Sequence, residues 1–179
     1  MRKALFPAAA ALVFALAACG ETAEAPVPAA TDAATASATV AAVVPVSAED
    51  AAKVAKERHE GFETIGKSFK TVMDQLKTGA PDRAKILTAA ASINDLAPKV
   101  AGWFPAGSGP DVVPKTEALP AIWDKPAEFS AAAQKFADEA ALFNRTAMAT
   151  DGPALAAGAK ALGGACKGCH EQFRKPDDR

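Results

Sequence analysis

Cys166-Lys167-Gly168-Cys169-His170 constrains this chain more than any other stretch, because Cys-x-x-Cys-His is the attachment signature of a covalently bound c-type haem. The two thiols add across the haem vinyl groups to give thioethers, and the adjacent imidazole reaches the iron as its proximal ligand. With Cys166 as i on a helix, Cys169 is i+3 and His170 is i+4, so the three side chains share one face. Other readings of the spacing fit less well. A thioredoxin-like redox pair should open a helix after a buried strand, and nothing strand-like precedes Cys166. A structural zinc site needs four ligands, whereas the chain holds three Cys and two His in all, with the third Cys committed elsewhere.

That third cysteine closes an export signal. Met1-Arg2-Lys3 is basic, Ala4 to Leu16 is apolar, and Ala17-Ala18-Cys19-Gly20 follows. Leu16-Ala17-Ala18-Cys19 resembles a bacterial lipobox, which predicts a lipoprotein signal peptide over residues 1–18 and an acylated Cys19 as first mature residue. The alternatives are an ordinary signal cut beside Cys19 and a retained span, the latter disfavoured because the apolar run is shorter than the roughly 20 residues a spanning helix needs. With Cys19 lipidated, no cysteine is left to form a disulfide. Haem c is attached outside the cytoplasm in bacteria, so signal and motif agree on the cell envelope, facing the periplasm, with the membrane held through the lipid on Cys19.

Residues 19–46 are rich in Ala, Pro, Thr and Val, with little charge beyond Glu21, Glu24 and Asp32, and read as a semi-extended tether. Residues 47–179 then suffice for one domain with a single core. Charge selects no partner: the 20 basic and 21 acidic residues become 18 against 21 once Arg2 and Lys3 leave with the signal. Nucleic acid is not indicated, and many redox partners are permitted.

Four segments of the domain carry a helical period and none alternates as a strand, which predicts an all-α fold. The first opens at Ser47-Ala48-Glu49-Asp50, resembling a capping box, and places Val54, Arg58, Phe62, Ile65, Phe69, Val72 and Leu76 on one stripe. The second spans 82 to 100 with Ile86, Leu87, Ala90, Ile93 and Leu96 inward, and Pro98 ends or kinks it. After a Gly/Pro-rich loop over 102–125, the third has Pro126 in its first turn and repeats Phe129, Ala133, Phe136, Ala140, Phe143 and Ala147. The fourth follows Asp151-Gly152-Pro153 and holds Leu155, Ala159, Leu162, the haem motif and Phe173. Four such helices favour an antiparallel four-helix bundle, an architecture that builds cofactor sites between its helices. Phe69, Phe129, Phe136 and Phe143 read as core packing.

A Cys-x-x-Cys-His on the last helix of an Ala-rich bundle resembles cytochrome c prime, the class II c-type cytochromes. The likeness runs from Ser47 onward. It takes in Arg58 with Phe62 four residues on, the loop Trp103-Phe104-Pro105-Ala106-Gly107-Ser108, the run Lys115 to Trp123 with Phe129, and Arg174 four residues after His170. The late position of the motif is unlike the class I layout, where it lies early and a Met ligand follows. The resemblance implies that Phe62 faces the distal side of the haem, where it cannot coordinate iron, and so implies five-coordinate iron with His170 as sole protein ligand. It further implies that Arg174 lies near His170, and that Arg58 and Glu117 contact the haem periphery, Arg58 as a propionate partner.

Low-spin relatives resembling cytochrome c556 use a Met from the first helix, but Met73 stands fifteen residues past Arg58, about 22 Å along the axis, and Met148 lies near the end of the third helix. His59, at i−3 from Phe62, leaves a bis-His site open, against the plainer reading of an exposed His near the haem edge. Family members bind NO and CO and are implicated in NO tolerance, so the resemblance implies a gas-binding haem protein capable of single-electron redox. An envelope electron carrier with six-coordinate iron is the alternative. An enzyme is not expected, for want of a distal acid–base pair unless His59 supplies one. The family's frequent antiparallel dimers imply a homodimer, for which the sequence singles out no interface patch.

Overall fold

A computed structural model of the chain describes residues 45–176. The signal peptide, Cys19 and all of the tether except Pro45 and Val46 lie outside the described residues. Four long helices, α1 (Ala48–Leu76), α2 (Arg83–Leu96), α4 (Pro126–Ala149) and α5 (Pro153–Phe173), form the bundle, and α3 (Ala121–Asp124) is a single turn within the long loop. No strand occurs among the described residues.

Each helix starts where local chemistry satisfies its free N–H groups. Ser47 caps α1 by accepting from the Asp50 N–H at 3.1 Å, and Glu49 and Asp50 place negative charge in the first turn. Asp82 caps α2 by accepting from the Lys85 N–H at 3.2 Å. Helices α4 and α5 instead begin with Pro126 and Pro153, whose missing N–H costs nothing at a first turn. At the other end of α2, Pro98 can neither donate nor tolerate the preceding turn, so the α-helix stops at Leu96 and the chain tightens into a 3-10 helix, Ala97–Trp103. The sequence period carried that helix to residue 100, four residues too far.

The α4 repeat is buried at every expected position, from Phe129 to Ala147, and so are Leu155, Ala159, Leu162 and Phe173 of α5. These faces meet each other, while α1 packs on α2 and α2 on α4. The stripe on α1 differs from expectation. Ala51, Arg58, Gly61, Ile65 and Val72 are its buried residues, whereas Phe62 and Phe69 are only half-buried. The reason is that α1 and α5 touch least among the neighbouring long helices, and a cavity lies between them.

Candidate functional site

The cavity measures about 890 Å³ and its wall is mostly apolar. That volume suits a large flat cofactor. On the α5 side it is lined by Cys166, Cys169 and His170, brought to one face by the helical spacing, with Phe173 and Arg174 one turn beyond. On the α1 side stand Arg58, His59, Phe62, Ile65 and Phe69. Phe129 and Phe136 of α4 form the back. The phenylalanines at 69, 129 and 136, read from sequence as packing, therefore also line the site. A cavity inside a bundle has core residues for walls.

Both motif thiols are half-buried, and burial pushes Cys166 up to about 11 and raises Cys169 as well. Each is therefore a protonated thiol at neutral pH and a poor nucleophile on its own. No group of three His, Cys, Asp or Glu that could hold a metal ion comes together among the described residues. The motif also sits well inside α5, where a thioredoxin pair would not be.

The wall beyond Phe62 is aromatic. Phe62 meets Trp103 edge-on, with centroids 5.3 Å apart, and Phe104 at 6.2 Å. Phe104 contacts Phe129 edge-on at 4.8 Å, and Phe129 contacts Phe173 edge-on at 5.3 Å, so a run of rings reaches from α1 to the end of α5. Trp103 comes this close because position 61 is glycine: a Cβ there would meet the indole at 2.3 Å.

Arg58 is buried, at 5% exposure, and its guanidinium is spent on the loop. It donates to the carbonyls of Trp103 at 3.3 Å and Ser108 at 3.5 Å and to Thr116 Oγ1 at 3.0 Å, and stacks over Phe104 at 4.7 Å. Burial lowers its pKa from the ordinary value, yet an arginine stays charged in such a place. Gly107, at φ +83°, turns the loop where Val46 N–H reaches the Ala106 carbonyl at 2.9 Å.

Two features of the proximal edge were not foreseen. The loop and the end of α5 form an isolated antiparallel bridge, Ala118 to Arg174. Beside it, Glu117 Oε2 accepts from Arg174 Nε at 2.8 Å and lies 2.7 Å from Nη2. Glu117 and Arg174 thus line the cavity as a pair. His59 lines it too, but is exposed.

A bundle of four helices with a Cys-x-x-Cys-His face turned into an apolar cavity defines a class II c-type cytochrome. The family model described as Cytochrome C' matches residues 53–174, and the chain belongs to that family. It is 34% identical over 118 residues to a cytochrome c' of Pararhodospirillum photometricum, covering 66% of this chain and 93% of the relative. Among solved structures it is similar to cytochrome c prime from Shewanella frigidimarina, with TM-score 0.65 and 30% identity, covering 72% of this chain and 98% of the other. It is also similar to a nitric oxide complex of a mutant cytochrome c prime from Alcaligenes xylosoxidans, with TM-score 0.63 and 27% identity, covering 74% and 100%. Members carry haem c bound through the motif cysteines, which here are Cys166 and Cys169. Two thiols and one imidazole on a single helix face, opening on a cavity of this size, fit that group.

Proposed function

We propose that the protein binds small neutral diatomic gases, NO and CO, at five-coordinate iron ligated by His170, and that it serves NO tolerance at the cell envelope. The haem, once bound, supplies one open coordination position and a single-electron couple. The observation that carries the reading is Phe62: it lines the cavity on the side facing the motif helix, wedged between Trp103 and Phe104, and has no atom that ligates iron. Neither methionine of the described residues lines the cavity, and Met148 is largely exposed. The Phe62 and Phe104 rings offer no hydrogen bond to water or anions and so favour neutral ligands beside them. The NO complex of the Alcaligenes relative supports the same ligand class. Arg58 fixes the loop that backs Phe62, and a propionate would have to share a guanidinium already engaged with three oxygens.

A second reading, an envelope electron carrier with six-coordinate iron, is favoured by one observation, the presence of His59 on the same cavity wall. Resonance Raman and optical spectra of the ferrous protein separate the two. A five-coordinate high-spin signature is expected. A six-coordinate low-spin spectrum that turns high-spin in His59→Gln would replace the first reading with the second.

The lipid anchor belongs to the same proposal, with Cys19 as its site. Cys19→Ser should move the protein from the membrane fraction to the soluble fraction after cell breakage, and a variant that still pellets with membranes would remove the anchor from the reading.

A further inference from the structure

We infer that Glu117 is a positioning residue, which sets where the Arg174 guanidinium stands beside the proximal imidazole and acts on the iron's ligand through that guanidinium, not by contact with the haem. The inference rests on the reading that Arg174 lies near His170.

Arg174 is where α5 ends. Its backbone is extended, at φ −119° and ψ 141°, while its N–H still reaches the His170 carbonyl at 3.1 Å. Had the helix continued, the side chain would lie on the helix surface one turn from His170. The extended backbone instead turns the chain toward the loop over residues 116–119.

It meets the loop. The Ala118–Arg174 bridge is flanked by two backbone hydrogen bonds, Leu119 N–H to the Phe173 carbonyl at 2.9 Å and Lys175 N–H to the Glu117 carbonyl at 2.8 Å. These set Glu117 against Arg174 before either side chain is considered. Two neighbouring guanidinium nitrogens then converge on a single carboxylate oxygen, which fixes the plane of the group as well as its place. An isolated surface pair loses much of its benefit to side-chain entropy, whereas here the backbone already holds the partners together. Water still screens this pair, with Arg174 34% and Glu117 64% exposed, so its effect is orientation more than stability.

Glu117 is itself held. Its neighbour Thr116 accepts from Arg58 through its hydroxyl and from Lys175 Nζ through its carbonyl at 2.9 Å, tying this part of the loop to both α1 and the segment after α5. The carboxylate is thus a fixed point against which the Arg174 guanidinium is set.

The test is a double-mutant cycle on the haem-loaded protein, read as the ferrous iron–imidazole stretching band by resonance Raman. Glu117→Gln should shift the band when residue 174 is arginine and leave it unmoved in the Arg174→Gln background, and Glu117→Asp should lie between wild type and Glu117→Gln. The same shift in both backgrounds would mean that Glu117 acts on the haem directly, and would overturn the inference. So would a band that moves in Arg174→Gln but not in Glu117→Gln, because Arg174 would then hold its place without Glu117. If Arg174→Gln itself leaves the band unmoved, the placement of Arg174 near His170 fails first, and that outcome is distinct from the other two.

Discussion

Phe62→Ala should accelerate CO binding to the ferrous protein by about tenfold to a hundredfold, measured by stopped flow or flash photolysis. The estimate follows from what holds the ring. To admit a ligand on its side of the cavity, Phe62 must swing away from Trp103 and Phe104, and each aromatic contact contributes about 0.5–1.5 kcal/mol beyond area burial. Losing both adds about 1–3 kcal/mol to the barrier, which at about 1.4 kcal/mol per decade gives the stated range. A rate within twofold of wild type would mean that Phe62 does not guard the side on which CO binds. The substitution removes no iron ligand and no buried hydrogen bond, so haem attachment should be unaffected.

Gly61→Val should strongly destabilise the domain while leaving the haem ligands and Arg58 untouched. The indole of Trp103 occupies the space a side chain would need, with three ring carbons within 2.9 Å of a Cβ built at position 61. Trp103 is buried and braced by Phe62, so it cannot turn aside freely. Overpacking of this kind costs about 3 kcal/mol at the upper end of its usual range. For a domain of this size that lowers the melting temperature by roughly 10 °C. Gly61→Ala should show a smaller loss, because helix propensity returns up to about 1 kcal/mol against the clash. Both variants should also change CO kinetics, since any displacement of Trp103 reaches Phe62 directly. Unchanged melting in Gly61→Val would show that the indole does not need the glycine seat.

What was legible in the sequence was the part built from local periodicity. On α4 the 3-4 spacing from Phe129 to Ala147 survived into the structure residue for residue, because that helix packs on α5, α2 and the 3-10 segment and buries the face the period defines. The motif on α5 was legible for the same reason, since its chemistry is set by i, i+3 and i+4. The α1 stripe was misread in detail, because a period cannot tell a residue facing a sealed core from one facing a cavity. Arg58 carried no sign that its burial would be met by two carbonyls and a hydroxyl 45 to 58 residues away. Gly61 stood out in no sequence pattern, because only the arrival of Trp103 from the 3-10 segment gives it a purpose. The Glu117–Arg174 pair joins residues 57 apart through a bridge too short to leave an alternating pattern.

The aromatic wall has an optical consequence. The chain contains two tryptophans and no tyrosine, and both indoles belong to this wall: Trp103 stands against Phe62, and Trp123 stands against Phe104 with its N–H on the Pro105 carbonyl at 3.0 Å. All indole fluorescence of the protein therefore originates beside the site. A porphyrin in the cavity absorbs where indoles emit and will quench them by energy transfer, so emission intensity follows haem loading without any label. In haem-free protein, the Trp103 share of that light reports on the Gly61 seat, and the Trp123 share on the loop that Arg58 holds.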